Sequence, residues 1–379
     1  MTARTSQRPV DPSAPSGAVL RAEGLRVVLP GGLTPVDGID LVVAPGEVVG
    51  LAGESGSGKT LTALSLFGLL PHGAHTEGRL EVGGRDVLAM RPKALRALRG
   101  DEVSMVFQDP MTSLHPMLTI GRQVTEHLRH HHGTSRAAAR ARAVELLGQV
   151  RIPDPDRALG AYPHQLSGGM RQRAAIAIAL ACSPSLLVAD EPTTALDVTV
   201  QAGILRLLDR LRREEGLSIL LITHDLGVMG ALTDRLAVMY AGRIVETGPT
   251  RALLSDPRHP YTRGLLDSLP STETGSDPSA GSRREAPLLA IPGSAPQLTM
   301  VPPGCPFHPR CAHAEPSCRT DRPLLRPVAG PATDHVGAAA AGRLLACPVD
   351  PFADAQDTSG DASDDTSDDT SDDTTEVRR

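Results

Sequence analysis

The chain has 379 residues and a formal net charge of −6, with aromatic residues at only 2% and no Trp. Ten acidic and two basic residues from Asp354 to Arg379 carry a net of −8, so the remainder holds +2 of the total and offers no basic surface for direct binding of nucleic acid. No apolar run approaches the ~18 residues of a membrane span, and Met1–Gly17 is Ser/Pro-rich without an apolar h-region, which points to a flexible tail from 1 to 17 on a cytosolic protein.

Val19 to Glu47 predicts a small antiparallel β-layer: Leu25–Leu29, a Pro30-Gly31-Gly32 turn, then Ile39–Val43. Val48-Val49-Gly50-Leu51-Ala52 follows, short, apolar and β-branched, as a buried parallel strand is. It runs into Gly53-Glu54-Ser55-Gly56-Ser57-Gly58-Lys59-Thr60, a G-x-x-x-x-G-K-S/T loop, and Leu61–Leu70 leaves that loop as a helix. Unpaired N–H groups and the positive end of a helix dipole meet there, which suits an anion. Glycines at 53, 56 and 58 let several N–H groups turn inward to phosphate oxygens. Lys59 supplies a cation for the β- and γ-phosphates, and Thr60 a hydroxyl for Mg2+. Lys59 and Lys93 are the chain's only lysines among 38 basic residues, so a compact point charge is kept where a planar fork would fit less well. All eight residues from Gly53 to Thr60 are candidate nucleotide contacts.

Arg79–Val82 and Asp86–Leu88 read as a hairpin across Gly83-Gly84, and Asp101–Phe107 as a strand ending at Gln108-Asp109-Pro110. A helical insert includes Arg136–Val150, capped by Thr134 or Ser135. Leu166-Ser167-Gly168-Gly169-Met170 opens a second long helix, Arg171–Ala181, with glycines and a serine again at a helix N-terminus. Leu186–Glu191 is an apolar strand ending in two carboxylates. In a phosphate-loop protein the first, Asp190, holds the magnesium shell, and Glu191 beside it can polarise a water for attack on the γ-phosphate. Ser218–Thr223 forms another buried strand with His224 at its end, where ligands of parallel sheets bind. Arg235–Tyr240 and Arg243–Glu246 make a final hairpin at Ala241-Gly242.

These residues resemble the ATP-binding subunits of ABC transporters over roughly residues 18 to 350. Gly53–Thr60 matches the Walker A motif, Leu186–Glu191 the Walker B, Gln108 the Q-loop, Leu166–Met170 the signature motif, Ala195-Leu196-Asp197 the D-loop and His224 the H-loop. Gln108–Leu114, Tyr162–Leu166, Glu191–Gln201 and His259–Leu266 are similar to the oligopeptide and dipeptide importers in particular. The resemblance implies an α/β P-loop NTPase with a RecA-like core, an antiparallel β subdomain and a helical subdomain. It places the ATPase domain at 18–270 (helical subdomain about 109–180), a linker at 271–286, an irregular Cys-containing extension at 287–350 and a disordered acidic tail at 351–379.

For the site, the resemblance implies ATP and Mg2+, with Glu191, His224 and Gln108 catalytic and Thr60, Gln108 and Asp190 around the metal. Ser167, Gly168 and Gly169 would complete the ATP site of a second ATPase subunit, identical or a paralogue. Two transmembrane permeases and an extracytoplasmic solute-binding protein complete the implied complex, which puts the chain on the cytoplasmic face of the cell membrane. Two positions depart from the subfamily: His115 stands where Asn is usual, and Leu29 falls near the slot of an aromatic ring that stacks on adenine.

Cys305, Cys311, Cys318 and Cys347 are spaced C-x5-C-x6-C-x28-C in a Pro-rich segment with little apolar content, which favours a metal staple over disulfides or scattered thiols. Zinc usually shows tighter knuckles, whereas a cluster tolerates varied spacing. Gly304–Phe307 and Pro309–Cys311 resemble the peptide-importer extension, which implies a four-iron four-sulfur cluster, with zinc as the alternative and His308 and His313 as spare ligands. Cys182 reads as a small buried residue. Asp361–Thr375 repeats Ser-Asp-Asp-Thr and cannot bury a core. Rival readings are the same role for nickel or glutathione, and a soluble ABC ATPase acting on DNA or ribosomes. The second of these typically needs two ATPase units in one chain or long coiled coils, and the sequence has neither.

Overall fold

A computed structural model describes residues 17–109, 113–194, 196–269, 290–328 and 342–352. The N-terminal tail to residue 16, Pro110–Thr112, Ala195, the linker and most of the acidic tail lie outside the described residues.

Two sheets share one core. The first is antiparallel, in the order β2-β1-β4-β5, built from β1 (Leu20–Val28), β2 (Val36–Val43), β4 (His75–Val82) and β5 (Arg85–Asp86). The second has eight strands in the order β11-β12-β10-β9-β3-β8-β7-β6. Its parallel part is β3 (Val48–Ala52), β6 (Val103–Val106), β7 (Leu186–Asp190), β8 (Ser218–Ile222) and β9 (Arg235–Tyr240). Every residue of β3, β7 and β8 is buried, as strands covered on both faces must be. Period two sorts their side chains: Val48 and Ala52 pack with the helices, and Val49 and Leu51 with the antiparallel sheet.

The helices are α1 (Lys59–Leu66), α2 (Pro92–Asp101), α3 (Ile120–His132), α4 (Arg136–Gln149), α5 (Pro155–Ala158), α6 (Gly168–Ala179), α7 (Val198–Glu215), α8 (Leu226–Leu232), α9 (Thr250–Ser255) and α10 (Pro260–Asp267). Of these α3 to α6 form the helical insert, and Ser135 caps α4 through the Ala138 N–H. The signature helix begins three residues earlier than its periodicity suggests: Ser167 is the N-cap, so Gly168 and Gly169 lie inside its first turn. Helix α1 stops at Leu66, short of Pro71, because Gly68 turns left-handed and the chain needs that exit.

The extension is joined to the core, which its composition does not suggest. After β10 (Arg243–Pro249) the chain returns as β11 (Arg326–Pro327) and β12 (Leu344–Leu345), and β12 pairs antiparallel with β10. Cys305, Phe307 and Cys318 pack into the same apolar cluster as β3 and α6. Little apolar content suffices here because the partner surface is already built.

Candidate active site

Three neighbouring strands, β3, β8 and β7, bring the chemistry to one edge, since ligands of parallel sheets gather beyond the carboxyl ends. The phosphate loop follows β3. Gly53 has φ 150 and Gly58 φ 106. A Cβ at Gly53 would lie 2.2 Å from the Met239 carbonyl oxygen, and one at Gly58 2.4 Å from that of Pro35, so both must be glycine. Lys59 is buried and its Nζ donates to the Gly53 and Glu54 carbonyls at 2.7 and 2.9 Å and to Ser57 Oγ at 3.4 Å. Burial pushes its ammonium below the ordinary lysine value, partly offset by Glu191, Asp190 and Glu54.

Asp190 ends β7 and is 2% exposed. Burial raises its carboxyl above the usual value against the pull of Thr60 and Lys59. Its Oδ1 is buried without a hydrogen-bond partner, and an orphaned carboxylate oxygen beside the Thr60 hydroxyl fits a hard, hydrated cation such as Mg2+.

Glu191 sits one residue past the strand at φ 50, a left-handed position that side chains seldom adopt. Its carboxylate holds it there. Oε1 accepts from the His224 backbone N–H at 3.1 Å and meets His224 Nδ1 at 2.7 Å. Oε2 accepts from the Thr223 and Thr194 hydroxyls, each at 3.0 Å. The two threonines carry no sequence signal beyond adjacency to motif residues, and sequence reasoning assigned them nothing. The His224 ring is 66% exposed, so one end is fixed by Glu191 and the rest is open to a ligand.

Gln108 is exposed two residues beyond β6, at the sheet edge next to β7, and no described hydrogen bond ties its side chain to Asp190 or Thr60. Ser167 and Gly168 are also exposed. The Ser167 hydroxyl accepts from its own helix at the Met170 N–H, and the nearest side chains to Gly168 and Gly169 are Leu196 and Val200. The signature residues are thus not brought onto their own subunit's phosphate loop.

Cys305, Cys311, Cys318 and Cys347 line one pocket. Burial pushes the Cys305 thiol up to about 11 and raises Cys311 and Cys347 as well. Among the described residues no group of three or more His, Cys, Asp or Glu is arranged to hold a single metal ion. Cys182 is buried, and burial lifts its thiol to about 11.

A buried lysine in a glycine loop, facing a carboxylate at the end of a nearby strand, defines the class of P-loop nucleotide-hydrolysing proteins. The comparisons narrow it. The profile described as ABC transporter matches residues 36–194, and that described as oligopeptide/dipeptide transporter, C-terminal region, matches 245–318. A proposed peptide import ATP-binding protein of Brucella abortus is 49% identical over 320 residues, 82% of this chain and 94% of its own length. Another from Brucella suis is 48% identical over 304 residues, covering 80% and 89%. Among solved structures, a dimeric ATP-binding cassette in a post-hydrolysis state with ADP and Pi is 29% identical, with a TM-score of 0.55 over 61% of this chain and 99% of that one. The cbiO1 protein of Clostridium perfringens, part of an ABC transporter complex, is 26% identical with a TM-score of 0.56 over 64% and 92%. The chain belongs to the ABC transporter ATPase family, in the branch that carries the oligopeptide/dipeptide transporter C-terminal region.

Proposed function

We propose that this chain hydrolyses ATP to power import of di- and oligopeptides, as one of two ATPase subunits beneath a pair of membrane permeases. The observation that supports the cargo class is the extension: its family match begins at residue 245, on β10, and the described extension adds strands to the ATPase sheet itself. Among the described residues no helix is long and apolar enough to cross a membrane, so membrane attachment falls to the permeases. A solute-binding protein outside would deliver the peptide.

In this reading the loop N–H groups and Lys59 bind the triphosphate, and Thr60, Asp190 and Gln108 are the residues that would hold Mg2+, whose charge would offset the charge that develops on the phosphates. Glu191 orients and polarises the attacking water, and His224, fixed by Glu191, contacts the γ-phosphate. Ser167, Gly168 and Gly169 serve the partner subunit's nucleotide.

The four cysteines would hold a four-iron four-sulfur cluster. What supports a shared metal group is that all four thiols line one pocket, and the wide sequence spacing of the cysteines favours a cluster over the tighter knuckles usual for zinc. Protein prepared anaerobically should contain about four irons per chain. One zinc per chain, or four freely alkylated thiols, refutes the cluster.

The function is tested by co-expressing the chain with candidate permease subunits from the same organism and reconstituting the complex in lipid vesicles. Hydrolysis should rise when peptide-loaded binding protein is enclosed. Stimulation by nickel or glutathione instead of peptides changes the cargo, and a complex without ATPase activity overturns the reading.

A further inference from the structure

The cysteine-bearing extension grips the phosphate loop. Arg310 lies in a short 3-10 turn, His308–Arg310, just before Cys311. Its guanidinium donates to both carboxylate oxygens of Glu54, at 2.7 and 3.0 Å, the forked pairing that arginine makes best. The Arg310 side chain is only 7% exposed, flanked by the rings of Tyr240 and Phe307. Tyr261, fully buried on α10, accepts the Glu54 backbone N–H on its hydroxyl at 2.8 Å. The third polar group of Glu54, its carbonyl, accepts from Lys59 Nζ.

Each polar group of Glu54 is therefore engaged, and two of its four partners, Arg310 and Tyr261, come from outside the loop, the others being Lys59 and the Ser57 N–H. Its charge also matters. A carboxylate close enough to act on Lys59 electrostatically competes with the triphosphate for that ammonium and repels it. Arg310 neutralises the carboxylate and draws it toward the extension. The sequence motif puts Glu54 among the nucleotide contacts, but its side chain and amide are occupied elsewhere.

We propose that Arg310 is a positioning residue for ATP binding, one that masks Glu54 and, with Tyr261, parks it away from the triphosphate. This rests on the ATP-site reading above. Arg310 also donates to the Pro292 carbonyl at 2.8 Å and the Tyr240 hydroxyl at 3.4 Å, neither of them in the phosphate loop, so its action on the triphosphate runs through Glu54.

The test uses the full-length chain, with Mg-ATP affinity measured by displacement of trinitrophenyl-ATP and the melting temperature followed in parallel. Arg310→Met should raise the Kd for Mg-ATP about tenfold, toward the low end of couplings between sites. Added salt should shrink that penalty. Arg310→Lys keeps a cation and should stay nearer the parent. Removing the unmasked charge in Arg310→Met/Glu54→Gln should bring the Kd back to within about twofold of the parent. In the assembled complex the KM should move and kcat should not. A merely structural role predicts a lowered melting temperature that Glu54→Gln does not repair, and affinity left weak in the double variant overturns the proposal. So does a parental Kd for Arg310→Met. Were that variant not to fold, Tyr261→Phe removes a single oxygen: a Kd raised severalfold supports the proposal and a parental Kd overturns it. A parent chain that binds no Mg-ATP would refute the ATP site instead of the masking.

Discussion

Glu191 is held in a strained backbone conformation by two hydroxyls, a backbone N–H and an imidazole, all on its carboxylate. Left-handed φ at a side-chain-bearing residue costs on the order of 1–3 kcal/mol and persists where the surroundings over-determine it. The strain aims a carboxylate past the strand end, next to the buried Asp190 and Lys59. Glu191→Gln keeps the size and an acceptor oxygen but removes the proposed base. Hydrolysis in the assembled complex should fall by about 10²–10⁴-fold, the usual worth of a general base, while ATP binding persists and the closed dimer accumulates. A near-parental rate would show that Glu191 does not activate the water. Asp190 differs in kind. It is buried and its Oδ1 lacks a partner, which is what supports the proposed magnesium role.

At the scale of elements, α1 and α6 both start on glycines, yet they face different things. Helix α1 begins inside the phosphate loop, at the buried Lys59. Helix α6 begins at an exposed Ser167, whose hydroxyl caps its own Met170 N–H. An exposed, capped helix start that does not meet its own loop is what a site shared between two subunits requires. Ser167→Arg puts bulk and charge at that surface and removes the cap, at a cost of about 1 kcal/mol in stability. Binding of ATP to the isolated chain should be unchanged, and ATP-driven dimerisation, followed by gel filtration or light scattering, should be lost. Full turnover by a demonstrably monomeric preparation sinks the shared-site reading.

At the scale of the whole molecule, the extension is fastened by a buried polar network. Glu246 on β10 is fully buried and accepts from Arg343 and from the Arg258 and His259 backbone N–H groups. Arg258 in turn makes a forked pair with Asp350. His259, 1% exposed, accepts the Tyr261 N–H on Nδ1 at 3.0 Å, and burial drives its imidazole down to about 3 from an ordinary 6.5. The native ring stays neutral while the unfolded one takes up a proton below 6.5. The stability it contributes is therefore present above pH 6.5 and lost as pH falls toward 3, by up to about 1.4 kcal/mol per unit. His259→Asn keeps an acceptor for the Tyr261 N–H and removes that proton uptake. Its melting temperature should fall less steeply than the parent's between pH 6.5 and 4. Parallel curves would exclude His259 as a source of acid sensitivity.

Much of this was legible because local chemistry dictates it. A loop of three glycines and a lysine between an apolar strand and a helix has few other uses, and short continuous apolar runs identify β3, β7 and β8 as strands buried on both faces. What no local pattern encodes is adjacency. That β8 lies between β3 and β7, so that His224 meets Glu191, follows from strand order, which loops and packing set at a distance. The same holds for the Thr223 and Thr194 hydroxyls on Glu191 and for the orphaned oxygen of Asp190. The extension shows the limit most clearly. Its Pro-rich, cysteine-bearing composition suggests a separate appendage, but burial depends on the surface a segment meets and not on its own apolar content. Only the tertiary structure placed Phe307 in the shared core and Arg310 on Glu54, residues 256 apart in the chain. A charge pair at that separation leaves no trace in spacing or periodicity, because its energy comes from desolvation and geometry that exist only once the chain has folded.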